Sequence, residues 1–440
     1  MASNLKKFFS LVFFLLLFKI AEAQNIEFAR EVINELCSPN MHGRGFVNKG
    51  DSVAAAYISS QFKSMGIEPV QESYIQSFNI SVNSLPGDME LILDGKLLVA
   101  GKDYLADPCS PGLSGNFQIL ELNADILNDQ KKLQIQLSRS KGKFLLVNKI
   151  LFKNETKEQA QKLNQVINIL KQSNDNPASG IIIITDEKLT WHVSGDVCNI
   201  PAFTVYKPGF SGKVKKIKLA VENRFYPQYQ TQNVIGILPG KTISDSVIVF
   251  SAHYDHLGRM GRDTFFPGAN DNASGMAMLL NLARHYSSLE NRLEYSLVFM
   301  AFGAEEAGLL GSRYYVENPL FDLERIKFLI NLDIAGTGDE GITVVNGKVY
   351  TEAFDLLVKI NEEEKLLPKI NSRGEACNSD HCFFHRNKVP SFFIYTLGGI
   401  QAYHDVYDIP ETLPLTFYNE YFKLITSFVS ALNSPQASLR

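Results

Sequence analysis

The chain has 440 residues, with 43 lysines and arginines against 47 aspartates and glutamates and a formal net charge of −4. No basic patch accompanies that balance, which excludes a protein held on nucleic acid by phosphate contacts. An apolar content of 45% supports a large core, and the length predicts two or three domains.

At the N-terminus Lys6 and Lys7 precede an apolar run from Phe8 to Phe18, and Ala21-Glu22-Ala23 places small residues where a signal peptidase reads. The run is too short to span a bilayer. Residues 1–23 therefore read as a signal peptide, with no nearby cysteine to carry a lipid anchor. The expectation is a soluble exported protein, periplasmic or extracellular, with no membrane anchor. Five cysteines, Cys37, Cys109, Cys198, Cys377 and Cys382, are too few for a disulfide scaffold, although export permits one or two bridges. Cys377 and Cys382 are close enough to pair, and the odd count leaves at least one thiol unpaired within a monomer.

Amphipathic spacing predicts helices from Ile26 to Leu36 and from Ser52 to Met65, with His42-Gly43-Arg44-Gly45 between them and Gly66 ending the second. From about Phe78 to Gln232 short apolar runs alternate with turn-rich stretches, the pattern of a β-rich module. Strands are expected at Glu90 to Leu93, Lys143 to Val147, Ile181 to Thr185 and Ile200 to Val205, with a helix from Lys157 to Gln172. From Asn233 the runs become more continuously apolar and alternate with helices: Ser246 to Ala252, Ser274 to Tyr286, Tyr295 to Phe302, Ala307 to Val316 and Phe328 to Asp333. That alternation predicts an α/β fold with a mostly parallel central sheet covered by helices on both faces. The expected division is a catalytic domain of residues 24–85 and 228–440, interrupted by an insertion of residues 86–227 bounded near Pro86-Gly87 and Tyr226-Pro227.

The chemistry-bearing residues sit where apolar runs give way to glycine and polar residues, which is where ligands belong in an α/β sheet. Asp271, in Asn270-Asp271-Asn272-Ala273-Ser274-Gly275, can give one oxygen to each of two metal ions, although taken alone a helix cap explains it as well. Glu305 and Glu306 follow an apolar strand; one can ligate a metal while the other takes a proton from water. His253 and Asp255 fit a ligand and a carboxylate that fixes the imidazole tautomer. Asp333 follows a run that should be buried, where a carboxylate is costly unless paired or bound to a cation. His404 lies in a polar loop and by itself reads as a surface histidine. Coincidence is a poor explanation for all five sites together.

His253-Tyr254-Asp255, Asp271-Asn272-Ala273-Ser274-Gly275, Glu305-Glu306-Ala307-Gly308-Leu309-Leu310-Gly311-Ser312, Asn331-Leu332-Asp333 and Ser379-Asp380-His381 together resemble the secreted co-catalytic di-zinc aminopeptidases, relatives of glutamate carboxypeptidase II and the glutaminyl cyclases. The resemblance covers about Asn233 to Leu432 and, less closely, the N-terminal helices. It implies two zinc ions per chain: one on His253 and Asp333, the other on Glu306 and His404, with Asp271 bridging. It also implies Glu305 as general base, Asp255 as the carboxylate behind a ligand, and a cis Asp271-Asn272 peptide. Lys141-Gly142-Lys143, Gly180 to Thr185 and Ile200-Pro201-Ala202-Phe203 make the insertion resemble a protease-associated domain.

The implied substrate is a peptide with a free N-terminus. A carboxypeptidase of the same fold is the alternative, with Arg259, Arg262 and Arg313 available for a carboxylate; a single-zinc glutaminyl cyclase stands further off because all five ligands are present. The same completeness argues against a metal-free binding protein on this fold. The pocket is expected around Arg373 to His385 and Leu397 to Tyr403, with Phe383, Phe384 and Tyr403 as apolar candidates, although core packing explains Phe383 and Phe384 at least as well. Asp380 and His381 could add ligands but read rather as supporting a ligand or as structural, because the five-residue set is already complete, and His256, His285 and His385 read as non-ligands. Preferred residue, physiological substrate and oligomeric state are not legible.

Overall fold

In the computed structural model, residues 26–152, 156–210 and 212–433 are described; the expected signal peptide lies outside them. Residues 26–36 form a helix whose Ala29, Val32, Ile33 and Leu36 are fully buried, and Gly50–Ser64 form another that buries Ala54, Ala55, Ile58 and Phe62. Each set is the stripe that 3.6-residue periodicity brings to one face. Between the helices the chain turns tightly through Pro39–Arg44. Gly43 has φ +65°, and a Cβ there would lie 2.5 Å from the Gly258 carbonyl oxygen, so only glycine fits.

The main sheet has nine strands. Its centre is parallel, in the order Tyr295–Phe302, Ile243–His253, Ile326–Leu332 and Ser391–Leu397. Flanking strands run antiparallel: Arg224–Leu238 against Tyr295–Phe302, and Gly341–Val345 against Ser391–Leu397. The sheet is therefore mixed, with parallel pairing through the centre and again at one edge, where Ile370–Ser372 runs parallel to Gly341–Val345. Alternate side chains serve two cores. Ile248, Phe250 and Ala252 face a cluster built with the helices 26–36, Gly50–Ser64, Gly275–Ser287, Thr351–Glu364 and Tyr418–Leu432. Val247 and Val249 face Tyr315 and Phe384, from Leu310–Glu317 and His381–Arg386. Coverage on both faces is why these strands read as unbroken apolar runs.

A second sheet, of eight strands, draws all its strands from residues 89–221. Leu113–Glu121, Lys143–Asn148, Gly180–Thr185 and Ala202–Tyr206 are parallel neighbours. The helix Lys157–Gln172, started by a capping box of Thr156 and Gln159, packs Leu163, Ile167 and Leu170 on one face. The segment is thus rich in strand, as its turns suggested, and adds a helical layer on one face of its sheet. The other face buries Phe144, Ile182, Trp191 and Phe203 together with Leu257, Met260 and Phe266 of the segment that carries the site.

Two strands connect the sheets. Ile75–Ser84 pairs antiparallel with Arg224–Leu238, whose end joins the main sheet; the register shifts between Tyr226 and Tyr229, around Pro227, which has no amide proton to donate. Two disulfides are present, Cys109–Cys198 and Cys377–Cys382; Cys37 is free and buried. No helix among the described residues is long and apolar enough to cross a membrane.

Burial pushes the Cys37 thiol up to about 12. Iodoacetamide at pH 8 is expected to leave the native chain unlabelled and to label Cys37 alone after unfolding without reductant. The Cys109–Cys198 bridge joins residues 89 apart in sequence, so replacing both cysteines with alanine should lower the urea unfolding free energy by about 4 kcal/mol. Rapid labelling of the native chain, or unchanged stability, would contradict these expectations.

Candidate metal centre

The carboxyl ends of the parallel strands open into one crevice. His253 is the last residue of Ile243–His253, Asp333 follows Ile326–Leu332, and Glu305 and Glu306 follow Tyr295–Phe302. His404 lies in the loop after Ser391–Leu397, and Asp271 in the turn Ala269–Ser274 that opens the helix Gly275–Ser287. This is the crevice that α/β topology offers to ligands.

The Asp271 turn is held from three sides. Asp408 accepts the amides of Asn270 at 2.8 Å and Asp271 at 3.0 Å. Arg44, fully buried, donates to the carbonyls of Tyr254 (2.7 Å), Leu36 (2.9 Å), Gly268 (2.8 Å) and Pro267. Asn272 donates to the Leu332 carbonyl at 3.1 Å and accepts the Ile334 amide at 3.1 Å, tying the turn to the Asp333 loop. The Asp271-Asn272 peptide is cis. A Cβ on Gly275 would lie 2.2 Å from the Asn272 side-chain oxygen, which is why glycine follows Ser274.

The two oxygens of Asp271 face two sets of donors. Oδ1 is 3.3 Å from His253 Nε2, which is 3.4 Å from Asp333 Oδ1. Oδ2 is 3.0 Å from His404 Nε2, which is 3.2 Å from Glu306 Oε2. Donors bound at about 2.0–2.2 Å to a tetrahedral zinc are separated by roughly 3.3–3.5 Å, so both sets fit a zinc ion with little movement. Asp333 adds an independent sign. Its Oδ2 accepts from Ser379 Oγ at 2.9 Å, whereas its buried Oδ1, the atom facing His253, makes no hydrogen bond.

Both imidazoles that face Asp271 are oriented by main-chain carbonyls. His253 Nδ1 lies 3.2 Å from the Asp255 carbonyl, and His404 Nδ1 lies 3.0 Å from the Trp191 carbonyl. Donation from each Nδ1 leaves Nε2 with a lone pair toward the cluster. The role expected for the Asp255 carboxylate therefore changes. It stands 3.8 Å from His253 Nδ1, beyond hydrogen-bond reach, and accepts the amides of Glu305 at 3.0 Å and Glu306 at 3.3 Å, fixing the turn that presents both glutamates.

The adjacent glutamates are driven apart in acidity. Burial and the Asp271 charge oppose ionisation of Glu306, but hydrogen bonds from His256 and His404 hold it at about 2. Burial dominates at Glu305 and, against the attraction of His253, raises it well above the usual carboxylate range. Its side chain makes no hydrogen bond or ion pair to another described residue and faces the cleft. One glutamate is suited to ligate and its neighbour to exchange a proton.

His256, set aside on sequence grounds, also reaches this group. Its Nδ1 is 2.7 Å from Glu306 Oε1, a hydrogen bond shorter than the spacing of two donors on one zinc, so it steadies the outer oxygen of Glu306 while His404 faces the inner one. Asp380 and His381 stand outside both donor sets; burial raises Asp380 to about 6 and lowers His381 to about 4. His285 and His385 lie elsewhere, beside Phe422 and Tyr350.

A cleft of about 490 Å³ holds His253, Asp271, Glu305, Glu306, Asp333 and His404, with Arg373, Phe393, Tyr395 and Tyr403 in its wall. Tyr403 stacks on His404 at 4.0 Å between ring centroids. Phe383 and Phe384 are not in the wall, and Phe384 belongs to the core. Arg259, Arg262 and Arg313 also stand outside it, beside His42, Asp88 and Glu317. The sequence reading missed the roles of Arg44, Asp408, His256 and Trp191. Arg44 lies within a stretch already noted and His256 directly follows another, whereas nothing in the sequence joins Asp408 to the Asp271 turn or Trp191 to His404.

Burial works against the His404 imidazolium, yet hydrogen bonds to Asp271 and Glu306 lift its pKa to about 10; at His253 burial is likewise outweighed, chiefly by the charges of Glu305 and Asp333, which raise it well above 6.5. Stability from these raised histidines is present below about 6.5 and is lost as pH rises through the folded values. A metal ion competes with those protons. Zinc uptake at pH 7 should therefore release about two protons per chain and weaken as pH falls. Calorimetry in buffers of different ionisation enthalpy checks this; a heat independent of buffer would contradict it.

The sequence profile of peptidase family M28 matches residues 233–429. Aminopeptidase YwaD of Bacillus subtilis is 30% identical over 247 residues, 53% of this chain and 49% of that protein. Leucine aminopeptidase 1 of Trichophyton rubrum is 29% identical over 225 residues, 47% of this chain and 60% of that one. The chain thus spans about half to three fifths of the length of these relatives. Among solved structures, a zinc aminopeptidase from Bacillus subtilis superposes with a TM-score of 0.68 at 22% identity, covering 94% of this chain and 96% of that one. A peptidase M28 precursor from Shewanella amazonensis gives 0.69 at 16% identity, covering 96% and 98%. At these identities the structures establish likeness of fold. Over residues 233–429 the chain is thus similar in sequence to peptidase family M28.

Proposed function

We propose that the protein is an exported zinc-dependent aminopeptidase that removes the N-terminal residue of peptides. The observation that carries this reading is the shared carboxylate: Asp271 turns one oxygen toward His253 and Asp333 and the other toward His404 and Glu306. These five residues would hold two zinc ions. When bound, they supply a Lewis acid for the scissile carbonyl and a water of lowered pKa.

The protein's own groups do the rest. Glu305, unpaired and facing the cleft, takes the water's proton and returns it to the leaving amine. Glu306 stays ionised through His256 and His404. Four carboxylates line the cleft, Asp271, Glu305, Glu306 and Asp333, with Arg373 as the sole lysine or arginine in its wall among the described residues. That balance favours the ammonium of a peptide N-terminus, and the names of the relatives, aminopeptidase and leucine aminopeptidase, support the same end of the peptide. Arg373 is the one feature that favours the carboxypeptidase alternative.

Residues 86–227 read as a protease-associated insertion into a catalytic domain of residues 24–85 and 228–440. The confinement of the second sheet's strands to residues 89–221 supports that division. Two disulfides support an oxidising compartment and hence the exported reading.

Purified protein should hydrolyse amino-acid p-nitroanilides but not their N-acetylated forms. Glu305→Gln should lower kcat about a thousandfold while retaining the wild-type zinc content. Equal cleavage of acetylated substrates, dependence on a free C-terminal carboxylate, or a fully active Glu305→Gln would defeat the aminopeptidase assignment.

A further inference from the structure

His404 draws its orientation from outside the residues matched by the peptidase family. After the second-sheet strand Gly180–Thr185, the segment from Lys188 to His192 crosses to the loop that carries His404. The Trp191 amide donates to the His404 carbonyl at 2.9 Å, and His404 Nδ1 donates to the Trp191 carbonyl at 3.0 Å. This two-way exchange fixes both the loop and the ring. Trp191 is itself anchored. Its Nε1 donates to the Ala106 carbonyl at 2.7 Å, and its ring stacks on Phe266 with centroids 4.7 Å apart.

A second tie lies beside the first. Lys188 Nζ is 2.8 Å from a carboxylate oxygen of Asp405, which is 5% exposed, and donates to the carbonyls of Tyr403 at 3.0 Å and Gln401. Lys188 thus holds the residues on both sides of His404. His192, next to Trp191, brings its Nδ1 to 3.4 Å from His404 Nδ1 and lines the cleft. On the opposite side of the donor cluster, His253 takes its carbonyl from Asp255, two residues along its own chain. The two imidazoles therefore depend on different parts of the molecule.

We propose that the Lys188–His192 segment is a component of the metal centre: the Trp191 main chain sets the tautomer and aim of His404, and the second sheet thereby governs occupancy of one metal position. The proposal rests on the zinc reading above. It makes Trp191 and Lys188 positioning residues for the metal on His404 and Glu306, with no such role for the metal on His253 and Asp333. Removing groups that orient a metal ligand typically weakens metal binding about 10- to 100-fold. A purely structural role for the segment would lower overall stability and spare the difference between the two positions.

Trp191 is the single tryptophan of the chain, so its emission reports on this contact. The test compares the full-length protein with Lys188→Met, Trp191→Phe and Trp191→Ala in zinc-buffered titrations, following bound zinc by elemental analysis and folding by circular dichroism. In the wild type and Lys188→Met, Trp191 emission is followed as well. Lys188→Met keeps most of the side-chain stem and Trp191→Phe keeps an aromatic ring against Phe266, so these two carry the test where Trp191→Ala does not fold. The expected result is a first zinc bound as in the wild type and a second weakened about 10- to 100-fold in Lys188→Met and Trp191→Ala, less in Trp191→Phe. Wild-type emission should change as the second ion binds. Equal weakening of both positions, or affinities unchanged in Lys188→Met and Trp191→Phe, would overturn the proposal. A wild-type chain that binds fewer than two zinc ions would overturn the reading on which it rests.

Discussion

Four carboxylates, Asp271, Glu305, Glu306 and Asp333, converge on one cleft, and like charges so close together cannot all ionise without cations among them. The surroundings supply partial answers. His253 and His404 lie between the carboxylate oxygens, His256 engages the far oxygen of Glu306, and Arg44 sits buried behind the Asp271 turn. Elsewhere burial prevails and acidity falls: Asp255 is raised to about 8 against the attraction of His253, and Asp408 to about 7 against the amides of Asn270 and Asp271 and the charge of Arg44. Two divalent ions bound as proposed would answer the same constraint with more charge at shorter range.

Such a cluster demands a frame that cannot relax. Ser251 donates to Asn331, Asn331 to Ser379 and Ser379 to Asp333, a relay that fixes one ligand to two neighbouring strands. Arg44 reaches the Asp271 turn from the connection between the first two helices, and its position depends on the glycine that lets Gly43 lie against Gly258. The N-terminal segment is therefore structurally part of the site, although the family profile begins only at residue 233. Residues distant in sequence act together because each supplies hydrogen bonds to main-chain groups that would otherwise be buried without partners.

The main sheet was legible because its strands are buried on both faces and its helices carry single apolar stripes. The runs Tyr295 to Phe302 and Phe328 to Asp333 could hardly lie elsewhere. The antiparallel flanks were not legible, since strand direction depends on connections that leave no periodic trace. The strand-rich character of the second layer was legible from its turns, but its parallel pairing was not, because the pairing of Lys143–Asn148 with Gly180–Thr185 spans a helix. Within the site, the five expected ligand residues were visible as polar breaks after apolar runs, and the structure brings them together around Asp271. Their supports were harder to see. Asp255 was noted for its carboxylate, yet its carbonyl is what meets His253, and main-chain groups carry no sequence signature. Trp191 meets His404 across 213 positions of sequence, a separation that motif spacing cannot register.

The central claim is that Asp271 lies between two metal ions. Anomalous diffraction at the zinc edge from crystals of the zinc-loaded protein tests it most directly. Two peaks about 3.5–4 Å apart, one beside His253 and Asp333 and the other beside Glu306 and His404, with an Asp271 oxygen on each, are the predicted result. A single peak at full occupancy, or a second peak away from Asp271, would contradict the account.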